Sequence, residues 1–152
     1  MKLLSYRPRS ESELRRRFQG QGCPPEVVES TLNKLKRAGF VEDKLAARLL
    51  AEDRLLSRPR SRRLLARELQ DKGFPPEIAD RAARGALPEL SERELARRAL
   101  QGKLGLWRGL PAEKGMRRAY SFLLRRGFSP QLAREVVEEA LGSSELGRDQ
   151  DA

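Results

Sequence analysis

The chain of 152 residues contains no histidine and a single cysteine, Cys23. The missing histidine excludes zinc sites that need imidazole, histidine acid–base catalysis and Cys–His nucleophilic pairs, and one cysteine excludes an internal disulfide. No apolar run approaches the roughly 20 residues of a membrane span, and no signal-peptide pattern opens the chain. We therefore expect a cytoplasmic protein without a membrane segment, metal or cofactor.

Other patterns are missing as well. Aromatic residues make up only 5% of the chain, so a core must consist mainly of Leu, Val and Ala. The alternation of β-branched and aromatic residues that marks strands does not occur. There is no Gly-rich phosphate loop, nucleophile elbow or carboxylate pair in an apolar context. These absences predict an all-α protein that is not an enzyme.

What the chain does contain is an internal repeat. The sequence of residues 58–61 (Arg-Pro-Arg-Ser) repeats that of residues 7–10, and 73–77 (Gly-Phe-Pro-Pro-Glu) matches 22–26 at the same offset of 51 residues. A third copy, residues 127–131, follows at an offset of 54. A fixed period with the same punctuation is typical of repeat proteins. Cys23 takes the position of the Phe in the other copies, which indicates a packing role.

Local signals predict where the helices of each repeat begin and end. Ser10 begins a helix as its N-cap, with Glu13 three residues later, and Ser91 does the same with Glu94. A glycine such as Gly22 ends a helix, and the prolines after it begin the next. A leading helix from about residue 42 shows an apolar side that recurs 50 residues later in Leu95, Ala96, Ala99 and Leu100; its own members are Leu45, Ala46, Leu49 and Leu50. Residues 102–111 carry three glycines and are expected to form a loop, with Trp107 as a local hydrophobic anchor.

Helices of about a dozen residues are marginal alone and must be stabilised by stacking. We therefore predict an elongated tandem array of three-helix modules that can curve. The modules cover residues 1–40, where the leading helix is truncated, 41–88 and 89–142. A disordered tail, 143–152, follows. We expect the array to be a monomer.

The net charge of +10 points to a polyanionic partner. A helical wheel places Arg60, Arg63 and Arg67 opposite the apolar side of the helix that follows Pro59. The repeat offsets carry this basic face to the other copies, where it comprises Arg9, Arg16, Lys114 and Arg117. An ordinary solvated face could also be charged, but such a face usually mixes both signs. We predict that these seven residues contact the partner.

The Arg9–Leu14 opening, the Gly39–Asp43 junction and the Leu123–Phe128 helix end together resemble the RecX family of bacterial recombination regulators. The resemblance covers about residues 5–141. Leu45 departs from it, since the family often has an aromatic residue there, and so does the nearly absent leading helix of the first module. The resemblance implies a three-module protein that binds the RecA–single-strand DNA filament and inhibits recombinase and coprotease activity in DNA repair and the SOS response.

Two other functions are compatible with the residues. One is a basic protein that binds single-stranded or duplex DNA without RecA, and the other is a helical scaffold for another acidic partner. A helix-turn-helix reader of bases is disfavoured, because the helices that begin at Pro25, Pro76 and Pro130 present Glu or Gln and then apolar residues.

Overall fold

Short helices account for all the regular secondary structure in the computed structural model, which describes residues 10–37 and 42–142. No strand occurs in these two ranges, so the all-α prediction is confirmed. Their bounds are α1 (Glu11–Gly20), α2 (Pro25–Arg37), α3 (Asp43–Ser57), α4 (Arg62–Asp71), α5 (Pro76–Gly85), α6 (Glu92–Gln101), α7 (Leu104–Arg108), α8 (Ala112–Arg125) and α9 (Pro130–Val137), and a π-helical turn (Glu138–Gly142) follows α9. Predictions for Arg9, the Gly39-Phe40 stop and the tail 143–152 lie outside the described residues.

Serine caps form where the sequence predicts them. Ser10 Oγ accepts a hydrogen bond from the Glu13 amide at 3.1 Å, and Ser91 Oγ accepts one from the Glu94 amide at the same distance. Ser61 caps α4 in the same way by accepting from the amide of Leu64. Each cap satisfies one of the amides that a helix start leaves without an intrahelical partner.

The same glycine turn ends the middle helix of every repeat. Gly22, Gly73 and Gly127 have φ angles of 80°, 105° and 88°, a region that favours glycine. In each turn the amide of the following residue donates to a carbonyl five positions earlier, as in Phe74 N to Leu69 O at 3.1 Å. This is the double-bonded glycine cap that the repeated motif predicts.

The contacts divide the chain into two compact units. The first contains the described residues up to Asp53 together with Leu65–Ala86, and the second contains Arg54–Leu64 together with the described residues from Leu87 onward. Both boundaries between residues 53 and 65 fall inside helices, α3 and α4. The three module boundaries given above stay a prediction.

A Leu/Val cluster forms part of the core of the first unit. Leu14 of α1 packs with residues of α2, and the half-buried Phe18 and Cys23 lie against this cluster. The packing role predicted for Cys23 is therefore confirmed. In the second unit, side chains of α6, α8 and α9 are almost fully buried; they include Leu95, Ala96, Leu123, Ala133 and Val136.

Two details of the predicted pattern are wrong. Leu49 of α3 is 43% exposed, while Ala46, Ala47, Ala51 and Leu55 are buried. The buried face of α3 therefore matches that of α6 at an offset of 49 rather than 50, because alanines rather than the neighbouring leucines face the core. The second error is the expected loop at 102–111, which contains the helix α7.

The short helix α7 is held by an aromatic contact. Trp107 is 8% exposed, and its ring lies edge-on to Phe122 of α8 with 5.4 Å between the centroids. A single helical turn is unstable alone, so this tertiary contact stabilises a segment whose glycines favour a loop. The anchoring role predicted for Trp107 is confirmed.

Candidate nucleic-acid interface

In the first unit, two predicted contact residues lie at the surface. Arg16 is exposed and donates from Nη2 to the Lys72 carbonyl at 2.6 Å, at the C-terminal end of α4. Arg67 is also exposed and lies in the middle of α4. Both guanidinium groups can therefore meet an anion from solvent, although Arg16 also bonds the protein.

In the second unit, Arg63, Lys114 and Arg117 are exposed. Arg63 makes a long contact of 3.5 Å from Nη2 to the carbonyl oxygen of Gly127. Lys114 and Arg117 lie in the first half of α8. The contact role of these residues stays a prediction.

Arg60 does not lie on the exposed face where the helical wheel places it. It is only 7% exposed, and its Nε donates to the Arg58 carbonyl at 2.9 Å. The wheel fails because Ser61 is the N-cap and α4 begins at Arg62, so Arg60 precedes the helix and follows no helical register. The prediction of an exposed Arg60 is wrong.

Equivalent residues of α1 and α4 contact the glycine turn of the next repeat. Ser12 Oγ donates to the Gly73 carbonyl at 2.7 Å, and Arg63, at the same position of the next repeat, contacts the Gly127 carbonyl. A Cβ added at Gly73 would collide with the Ser12 side chain, and one at Gly127 would lie 2.7 Å from Leu64 Cβ. These positions thus require glycine for packing as well as for φ.

The helix starts are fixed in a matching way. The amide of Glu11 donates to Asp43 Oδ1 at 2.9 Å, and the amide of Arg62 donates to Glu92 Oε1 at 3.1 Å. Both acceptors are the first residues of leading helices, α3 and α6. The inter-repeat geometry is therefore reproduced in the two units.

Arg62 also has a structural role of its own. Its Nη2 donates to the Leu87 carbonyl at 2.9 Å and to the Leu90 carbonyl at 2.7 Å, while its Nε lies 3.7 Å from the Glu92 carboxylate. The side chain is 16% exposed. This arginine therefore stabilises the connection between α5 and α6 and is not presented to a partner.

A basic groove lies along α8 in the second unit. It has a volume of about 450 Å³. Its lining residues are Lys103, Leu106, Trp107, Arg117, Arg118, Ser121, Phe122 and Arg125. Lys103 Nζ lies 5.5 Å from the centroid of the Phe122 ring, within the range of a cation–π interaction. The groove therefore combines four cationic side chains with aromatic walls.

The groove differs from its surroundings because none of the described residues that line it is acidic. On α6, by contrast, Arg93 pairs with Glu135 and with Glu139 at 2.7 Å, and Arg97 pairs with Glu139 at 3.1 Å. A groove between α3 and α5 in the first unit also contains a carboxylate, that of Glu77. The cations that line the groove are thus not matched by a carboxylate among the described residues of its lining.

Of the residues in this groove, the sequence pattern predicts only Arg117 as a contact. Arg118 and Arg125 are separated by seven residues, a helical spacing that places them on one side of α8 and that could have been recognised. Lys103 could not have been added without the fold of α7. The segment 107–152 carries a formal charge of only +1, from 8 basic and 7 acidic residues, and this sum conceals the cluster.

One carboxylate titrates away from its ordinary value. A hydrogen bond from Lys36, whose Nζ lies 2.7 Å from Glu11 Oε1, lowers the pKa of Glu11 below 4.5, and Arg15 adds to the effect. Partial burial opposes this shift. Glu11 therefore forms stabilising ion pairs at the start of α1, where its negative charge also complements the helix dipole.

Within residues 10–37 and 42–142, no group of three His, Cys, Asp or Glu side chains is arranged to hold a metal ion. The helices in these ranges are also too short or too polar for any of them to cross a lipid bilayer.

Comparison with known proteins identifies relatives. The family model described as RecX, first three-helix domain, matches residues 1–35, and that of the third three-helix domain matches residues 91–137. Regulatory protein RecX of Amycolatopsis mediterranei is 36% identical over 139 residues, which are 91% of this chain and 79% of that protein. Regulatory protein RecX of Thermotoga petrophila is 37% identical over 145 residues, which are 95% of this chain and 84% of that protein.

Two solved structures share the fold. A crystal structure of regulatory protein RecX superposes with a TM-score of 0.76 at 23% identity and covers 89% of this chain, which spans 66% of that one. RecX from Lactobacillus salivarius superposes with a TM-score of 0.70 at 18% identity, over 91% of this chain and 90% of the other. The resemblance found in the motifs is therefore matched by sequence and by fold.

Proposed function

Because the chain belongs to the RecX family, we propose that it is a non-enzymatic cytoplasmic regulator that binds the RecA–single-strand DNA filament and inhibits recombinase and coprotease activity. The observation that carries the proposal is sequence similarity to regulatory RecX proteins along more than nine-tenths of the chain. The implied partner, RecA, comes from the family resemblance.

The charge of the surface supports this partner. The filament offers phosphates and acidic protein surface, and both attract the exposed arginines at positions 16, 63, 67 and 117. Arginine suits such contacts because its planar guanidinium can bond a phosphate or carboxylate with two donors at once. The basic positions recur at the repeat offsets, so the same helix of each repeat supplies a contact residue.

The test is inhibition of RecA-catalysed strand exchange and of RecA-dependent coprotease cleavage. The wild type should inhibit both reactions. For the double variant Arg63→Glu/Arg67→Glu, the protein concentration that gives the same inhibition should be at least about tenfold higher. A matched control, Arg37→Glu/Arg134→Glu, changes the net charge equally at two exposed residues outside the predicted contacts. Circular dichroism should show equal helicity in all three proteins.

Each outcome has a separate meaning. Equal inhibition by the double variant and its control would show that α4 does not contact the filament. No inhibition by the wild type would refute the proposed function itself. A pull-down against RecA with and without DNA distinguishes filament binding from binding to DNA alone or to another acidic partner. If about six phosphate contacts dominate, affinity should fall roughly a thousandfold between 50 and 200 mM salt.

A further inference from the structure

The groove along α8 lies at a position that the other repeats use for contact with their successor. Arg117 corresponds to Arg63 at the offset of 54 residues, and Arg63 corresponds to Ser12 at the offset of 51 residues. Ser12 bonds the carbonyl of Gly73 and Arg63 contacts that of Gly127. The third repeat has no successor among the described residues, so Arg117 meets no such carbonyl.

Helix α7 covers part of the corresponding face of α8. Gly115 corresponds to Ser61, whose side chain lies against the turn at Gly127. A Cβ at Gly115 would lie 2.6 Å from the backbone oxygen of Trp107. In the third repeat α7 therefore lies where the next glycine turn would pack.

Helix α7 leaves the basic side chains of the groove accessible to solvent. Arg117, Arg118 and Arg125 are exposed along α8, and Lys103 is exposed at the start of α7. Within the part of the chain that the structure describes, no ion pair involves these four residues and no carboxylate lines the groove. Leu106 on its rim is 71% exposed, which leaves an apolar surface beside the cations.

We infer that the α7–α8 groove binds the phosphodiester backbone of single-stranded DNA. Lys103, Arg117, Arg118 and Arg125 contact phosphates, and Leu106 contacts the sugar or base of a nucleotide. A cationic groove that follows the backbone binds single strands without sequence preference, whereas a duplex keeps its bases stacked inside. The inference rests on the proposed function, for which it names the DNA-binding site.

The experiment measures binding of a labelled oligothymidylate to the full chain by fluorescence anisotropy between 50 and 200 mM salt. The variant Arg118→Gln/Arg125→Gln removes two of the four cations, and Arg37→Gln/Arg134→Gln is the matched control. Since each contact to a single strand contributes about 0.7 to the slope of log affinity against log salt, the groove variant should lose about 1.4 of that slope. Its affinity at 0.1 M salt should fall by a factor on the order of 20.

Parallel measurements separate the alternatives. Equal slopes for the groove variant and the control would overturn the proposal. If the groove variant lost duplex binding but kept single-strand binding, the proposal would be overturned too. Stronger competition by polyglutamate than by unlabelled oligonucleotide would also overturn it and would assign the groove to an acidic protein. Inhibition of strand exchange by the wild type is measured alongside. If the wild type does not inhibit, the proposed function is refuted. If the wild type inhibits normally and the groove variant binds DNA as the wild type does, only the assignment of the groove as the DNA-binding site is refuted.

Discussion

Replacing Gly73 by alanine should be much more destabilising than replacing Gly22, although both residues end a helix with positive φ. The two glycines occupy equivalent positions of successive repeats and both belong to the first unit. A Cβ at Gly22 meets no atom of the described residues within 4 Å, whereas at Gly73 it would collide with Ser12 and lie 3.0 Å from Arg16 Nη2. The comparison therefore separates the cost of backbone strain from the cost of the inter-repeat contact.

The expected magnitudes follow from these two costs. Holding alanine in the left-handed region costs about 1 kcal/mol, which is the whole effect expected for Gly22→Ala. Gly73→Ala adds overpacking of about 1–3 kcal/mol and weakens the hydrogen bond from Ser12, worth about 1 kcal/mol. The free energy of unfolding should thus fall by about 2 kcal/mol more for Gly73→Ala than for Gly22→Ala.

The assay is urea unfolding followed by far-ultraviolet circular dichroism, with the free energy of unfolding extrapolated to water. A rescue variant, Ser12→Gly/Gly73→Ala, removes the Cβ that the new methyl group strikes. It should show a coupling of at least about 1 kcal/mol in a double-mutant cycle. Equal losses for the two glycine variants, or additive losses in the cycle, would refute the packing argument.

Two further outcomes follow from the geometry of single side chains. Arg60→Glu should lower the free energy of unfolding by about 3 kcal/mol in the same urea assay, because it buries a carboxylate beside the Arg58 carbonyl. The control Arg67→Glu should change the free energy of unfolding by less than about 0.5 kcal/mol. Similar losses for the two variants would contradict the burial of Arg60. Since Lys36 and Arg15 lower the pKa of Glu11, the stability advantage of the wild type over Glu11→Gln should be complete above pH 4.5 and decline as the pH falls through the lowered pKa. A difference in stability that does not change between pH 6 and pH 3 would exclude this ion pair as its source.

The features that the sequence predicts best are those that depend on neighbours along the chain. The serine caps at Ser10 and Ser91 need only a hydroxyl and an amide three residues later, and the glycine turns need only one residue with positive φ. Because the three turns recur at fixed offsets, their equivalence could be read without coordinates. The same offsets correctly align the buried Leu65 and Leu69 with Ala119 and Leu123.

The errors arise where long-range packing decides. In α3 a leucine face and an alanine face lie next to each other. The alanines at 46, 47 and 51 are buried while Leu49 is exposed, whereas hydrophobicity alone selects the leucines. The helical wheel fails at Arg60 because the cap at Ser61 moves the helix start by two residues. The α8 groove depends on α7, whose single turn is held by the contact of Trp107 with Phe122.

The division into two units has a consequence for how the chain is made. A growing chain that has emerged from the ribosome as far as Ala86 carries both stretches of the first unit, so that unit can complete its folding during synthesis. In the second unit the stretch Arg54–Leu64 emerges first and must wait for the residues that begin at Leu87 before it can pack with them. Until they emerge, Arg62 has no carbonyl at Leu87 or Leu90 to bond. A fragment that begins at Leu87 would lack this stretch permanently, whereas a fragment that ends at Ala86 keeps the first unit whole.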